Sequence, residues 1–122
     1  MTATPPSEMP AAMAVAMARL WTKFLPEIKQ RVAVLETTAR ALAAGTLSEE
    51  QREAAHAAAH KLAGSLGTFG MQRGTELART AELLLAEPCS SGDAEILDGY
   101  TDELQRLIAI HNSSLTPPDL RS

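Results

Sequence analysis

Alanine and leucine recur at helical spacing through most of the chain, set among glutamate, arginine and glutamine. These are the residues with the best helix propensity. Runs of β-branched residues alternating with polar ones, the mark of strands, are absent. Glycine and proline cut the pattern into helices. The first is predicted from about Ala11 to Ala44 and stops at Gly45, a residue suited to a left-handed terminus. Pro26 falls inside it and removes one backbone hydrogen bond, so a kink or two abutting helices are expected there. The second opens after Ser48, with Gln51 at capping-box spacing, and runs to about Leu66. Gly67-Thr68-Phe69-Gly70 closes it. A third helix, about Met71 to Ala86, stops before Pro88; its apolar stripe is Leu77, Ala81, Leu84 and Leu85. The fourth spans Asp93 to about His111, with Asp93 at its positive N-terminal end and Ile96, Tyr100, Leu104 and Leu107 as its stripe.

Long helices joined by short connections pack as antiparallel neighbours. The expected fold is all-α, an antiparallel up-down four-helix bundle over residues 11–112 with a kinked or split N-terminal helix. Residues 1–10, with Pro5, Pro6 and Pro10, and 113–122, with Pro117-Pro118, show no apolar period and are expected as disordered tails. From Met1 and these tails a complete small chain is expected.

Composition narrows the function. A chain of 122 residues fits one domain, and one cysteine leaves no disulfide framework or cysteine-rich metal module. Cys89, in Pro88-Cys89-Ser90-Ser91-Gly92, is expected as an incidental loop thiol. No apolar run reaches the ~18 residues of a membrane span. Residues 1–10 lack the basic start and apolar stretch of a secretory signal. A cytoplasmic location and no membrane partner are expected. The net charge of −4, without a basic block, and 3% aromatic residues argue against a nucleic-acid partner.

The second helix holds the candidate chemistry. With His60 at zero on a helical wheel of about 100° per residue, Ala55, Ala58, Leu62 and Leu66 fall about 160–240° away and form the buried stripe. His60 then sits on the opposite, solvent-facing side. Its neighbours there are small: Gly64 about 40° away, Ala57 about 60°, Ala63 about −60° and Gly67 about −20°. An exposed helix face ordinarily carries long charged side chains, and Gly64 inside a helix costs about 1 kcal/mol relative to alanine. Either the surface beside His60 is kept low for an approaching molecule, or Gly64 packs against a neighbouring helix. His56 lies one turn before His60 on the same face, but two histidines with Ala57, Ala58 and Ala59 between them do not close a metal site, so no metal is expected. Ser65 falls toward the buried side and no carboxylate is placed behind a Ser–His pair, which disfavours a hydrolytic triad. His111 is expected as a terminal or half-buried residue.

Ala59-His60, then Leu62, Gly64 and Ser65, with Gly70 opening the next helix, resembles the signature of the histidine-containing phosphotransfer (HPt) domain. The resemblance extends from Leu20-Trp21 and Leu35 to Leu77 and Glu82, over about residues 18–88. It departs at one position: such domains commonly carry a lysine three residues after the histidine, to neutralise the phosphoryl group, and here Ala63 stands there. Lys61 is near but about 100° around the helix. Gln72 and Arg73, at the start of the next helix, are candidate substitutes.

The resemblance implies a phosphorelay intermediate of two-component signalling, a helical bundle with no activity of its own. His60 would accept a phosphoryl group on Nε2 from a receiver-domain aspartyl phosphate and pass it to another receiver aspartate. Lys61, Ala63, Gly64, Ala57, Gly67 and His56 would border the partner's docking surface. Imidazole ordinarily titrates near 6.5, so a neutral nucleophile prevails at neutral pH. No cofactor is expected on this chain, since the partner receiver, of a response regulator or hybrid kinase, brings Mg²⁺. A monomer is expected. Two other readings stay open: the dimerisation and phosphoacceptor segment of a histidine kinase, and a helical adaptor with an unphosphorylated His60. The first has an acidic residue after its histidine and a proline five on, where this chain has Lys61 and Ser65.

Overall fold

The computed structural model describes residues 10–115. Four helices follow one another: α1 (Ala11–Ala44), α2 (Glu49–Thr68), α3 (Gln72–Leu84) and α4 (Asp93–Leu115). Each packs on its neighbours in sequence, and α4 returns to α1, which closes an all-helical four-helix bundle. Apart from Pro10 and residues 113–115, the expected tails lie outside the described residues. Residues 113–115 belong to α4, which continues past His111.

The helix ends follow local chemistry. Gly45 takes a φ of 69° and ends α1, its N–H and that of Thr46 bonding back to Leu42 and Ala41 carbonyls. Ser48 and Gln51 form the capping box that their spacing predicts, at 3.1 and 2.8 Å. Gly70, with a φ of 68°, makes the turn from α2 into α3. α1 runs unbroken through Pro26 rather than splitting. Pro26 and Thr22 both face solvent, so water can serve the carbonyl that the proline leaves without its helical donor.

The core is a set of stripes at alternating three- and four-residue spacing. Trp21, Ile28, Leu35 and Leu42 repeat every seven residues along α1, and Ala94, Leu97, Thr101, Leu104 and Ile108 form the buried line of α4. This corrects the stripe expected on α4. Ile96 is 46% exposed, and Tyr100 and Leu107 are half-buried. Two apolar lines run side by side on this helix. The one containing Thr101 faces α1 and α3, and the Thr101 hydroxyl can be buried there because it donates to the Asp98 carbonyl at 2.8 Å. On α2 the buried residues are Ala55, Ala59, Leu62, Ala63 and Leu66, with Ala58 only half-buried. α2 is clasped by α1 on one side and α3 on the other, which widens its covered arc beyond a single stripe.

Gly74 is the glycine that packing requires. A Cβ there would lie 3.0 Å from Leu66 Cδ1, a side chain fully buried in the core. Gly74→Val is expected to destabilise the bundle by about 1–3 kcal/mol, read in denaturant melts. A variant as stable as the parent would show that Leu66 has room to shift.

At one end of the bundle Trp21 meets Phe69 at 5.1 Å and His111 at 4.4 Å between ring centroids, and its Nε1 donates to Asn112 Oδ1 at 2.9 Å. Burial lowers the His111 pKa. The folded state therefore takes up the proton less readily than the unfolded chain does. Stability from the neutral ring is fully present above the unfolded value, about 6.5, and is lost as pH falls from there toward the lower folded value. The thermal midpoint should drop between about pH 7.5 and 5.5, and the drop should be smaller in His111→Gln. An equal drop in that variant would assign the effect to other groups.

Candidate functional site

His60 stands in the middle of α2 with its side chain 73% exposed. Its Nδ1 lies 2.7 Å from Glu82 Oε2, on the facing side of α3. A carboxylate only accepts hydrogen bonds, so Nδ1 carries the proton and donates it. That fixes both the ring's orientation and its tautomer. The lone pair is left on Nε2, the outer nitrogen, which can act as a nucleophile. Glu82 is partly shielded, 23% exposed.

Two grooves flank this ridge, and they sort the residues that the wheel groups together. On the α3 side a groove of about 480 Å³ is lined by His56, His60, Ala63, Gly64, Arg79, Glu82, Leu83 and Ala86. On the α1 side Ala57 and Lys61 line another, with Glu27, Gln30 and Arg31. Gly67, exposed, lies one turn past Ala63, where a Cβ would come 3.7 Å from Thr75 Oγ1. Lys61 is therefore placed away from the Glu82 side of the imidazole. Ala63 is 6% exposed rather than part of an open face, because α3 covers that shoulder of α2; its side chain floors the groove.

Gly64 is exposed, and a Cβ built on it would meet nothing within 4 Å. Of the two explanations for this glycine, packing fails: no neighbour occupies its space. The surface beside His60 is low at this position, although alanine would suit the helix better by about 1 kcal/mol.

The candidate substitutes for the missing lysine do not come to His60. Arg73 is held by Glu103 of α4, with Nε 2.7 Å from Oε2 and Nη2 3.1 Å from Oε1. Its guanidinium pKa is raised, first by that hydrogen bond. Gln72 lines a different groove, beside Phe69, Met71 and His111. Arg79 does line the His60 groove, although the sequence pattern does not single it out. Nor does periodicity reveal the bond between His60 and Glu82, since they sit on different helices.

Ser65 accepts a hydrogen bond from Arg31 Nη1 at 3.0 Å and ties α2 to α1. Cys89 is half-buried, its thiol donating to the Leu84 carbonyl at 3.4 Å, and burial pushes its pKa up. Both features suit structural roles. Among the described residues no three or more His, Cys, Asp or Glu side chains gather where they could hold a metal ion. No helix among them is long and apolar enough to cross a membrane.

Comparison with known proteins agrees with this geometry. The family model described as "Hpt domain" matches residues 19–110, which includes all of α2 and α3 and most of α1 and α4. Protein RcaC of Microchaete diplosiphon is 35% identical over 65 residues, 53% of this chain. The chain spans only 10% of that protein's length. No solved structure matches. An exposed histidine held by a carboxylate in the middle of a four-helix bundle, together with a family match over most of the chain, leads to one conclusion: this chain belongs to the Hpt family, the histidine-containing phosphotransfer domains of two-component signalling.

Proposed function

We propose that His60 is the phosphoacceptor of a phosphorelay, taking a phosphoryl group from a receiver-domain aspartyl phosphate and passing it to a second receiver's aspartate. The observation that carries this is the His60 Nδ1–Glu82 hydrogen bond of 2.7 Å on a histidine that is otherwise exposed.

The Nε2 lone pair attacks phosphorus while the bond from phosphorus to the aspartyl oxygen breaks, its electron pair returning to the carboxylate. The ring then carries the phosphoryl group on Nε2 and keeps its proton on Nδ1, where Glu82 offsets the positive charge. No proton has to leave, so the same step can run in reverse toward the next aspartate. The receiver contributes Mg²⁺, which screens charge on the transferring group. On this chain the low surface around Gly64 lets the partner's acidic pocket approach the ring, and small misplacements of reacting atoms are costly.

The test is a transfer assay with isotope-labelled phosphoryl groups. A phosphorylated receiver should label this chain, and the labelled chain should then label a second receiver. Failure to take label from any of the host's receivers would favour the adaptor reading instead. A mass measurement in solution, expected to give a monomer, separates the reading from that of a dimeric kinase segment.

A further inference from the structure

A phosphoryl group on Nε2 brings a charge of about −1.5 to −2 at neutral pH, on the scale of other protein phosphates. The lysine commonly placed to meet it is Ala63 here, a buried side chain without charge. The groove that holds His60 and Ala63 has one arginine or lysine in its lining, Arg79 of α3. Arg79 lies three residues before Glu82 and four before Leu83, so the three share one face of α3. Its other charged or titratable neighbours in that lining are His56 and Glu82, and Glu82 is engaged by His60. The Arg79 side chain is exposed and makes no hydrogen bond or ion pair among the described residues. Other cations of α2 and α3 are committed: Arg73 to Glu103 and Glu76, Arg52 to Glu49 and the Leu85 carbonyl. Lys61 lies in the groove on the far side of the ridge.

We infer that Arg79 supplies from α3 the positive charge that faces the phosphoryl group on His60, in place of the absent lysine on α2. A guanidinium suits this position because it stays charged and presents a planar fork of donors that matches phosphate oxygens. The inference rests on His60 being the phosphoacceptor, and the two can fail separately.

Phosphoramidate, a small-molecule donor, is used to phosphorylate the intact chain, and the ³¹P signal absent in His60→Gln identifies the His60 adduct. Its chemical shift is then followed against pH. Removing a facing cation disfavours the dianion, so Arg79→Gln should raise the phosphoryl titration midpoint by roughly half a pH unit, less than for a close buried pair. Arg79→Lys should retain most of the parent behaviour, and Ala63→Lys added to Arg79→Gln should restore it. Arg106→Gln removes the same charge from α4, the helix diagonally across the bundle, and should leave the midpoint in place. Transfer from a phosphorylated receiver to Arg79→Gln should slow about two- to fivefold, the scale of one exposed charge interaction. A labelled His60 whose midpoint moves no more in Arg79→Gln than in Arg106→Gln would overturn the Arg79 assignment alone. A chain whose His60 takes no phosphoryl group would overturn both.

Discussion

His60→Gln should abolish phosphoryl acceptance while the bundle keeps its stability. The parent adduct, a phosphoramidate, should survive base and be lost in acid. It should be missing in His60→Gln and still form in His56→Gln and His111→Gln. The distinction comes from what holds each ring. Only His60 is both 73% exposed and anchored through Nδ1, which directs a lone pair outward. His56 is half-buried in the same groove, and His111 is half-buried against Trp21. Glutamine is a good helix former of similar length at a solvent-facing position, so the change in stability should stay within about 0.5 kcal/mol. Mass spectrometry of the labelled chain and a thermal melt on the same sample check both halves. Full labelling of a folded His60→Gln would show that the acceptor has been misassigned.

The second large effect is expected at Gly64, where activity and stability should move in opposite directions. Nothing lies within 4 Å of a Cβ at this position, so Gly64→Gln meets no clash. Replacing a mid-helix glycine should hold the fold or add up to about 1 kcal/mol. For a domain of this size that is a rise of up to roughly 4 °C in thermal midpoint. The new side chain, however, stands one turn from His60 in the groove that a receiver would enter under the proposed function. Holding the reacting atoms apart by even about 1 Å can reduce rate on the order of 10²-fold, and transfer should fall on that scale. Gly64→Ala, which adds little height, should gain stability with a much smaller loss. A Gly64→Gln protein that melts earlier, or that transfers normally, would show that this glycine does not serve to keep the surface low for a partner. Gly74→Val on α3 supplies the contrast, since there the obstruction is inside the core and stability should fall.

The four helices, the caps between the first three and the exposed histidine were legible in the order of residues along the chain, whereas the end of α4 was not. Gly45, Ser48 with Gln51, and Gly70 act within a few residues, so their chemistry can be read wherever the chain later packs. The wheel places His60 opposite Leu62 and Leu66, and burial follows it: the leucines are fully covered and the histidine stands out. How the helices are rotated against one another was a matter for the packed bundle. That rotation buries Ala63 under α3, turns Lys61 toward α1, commits Arg73 to Glu103 and chooses Thr101 over Tyr100 for the core of α4. It also brings Glu82 to Nδ1 and Arg79 into the same groove. These pairings join residues about twenty apart on separate helices, and no local period encodes them. They arise from packing one apolar surface against another, which settles only when all four helices are in place.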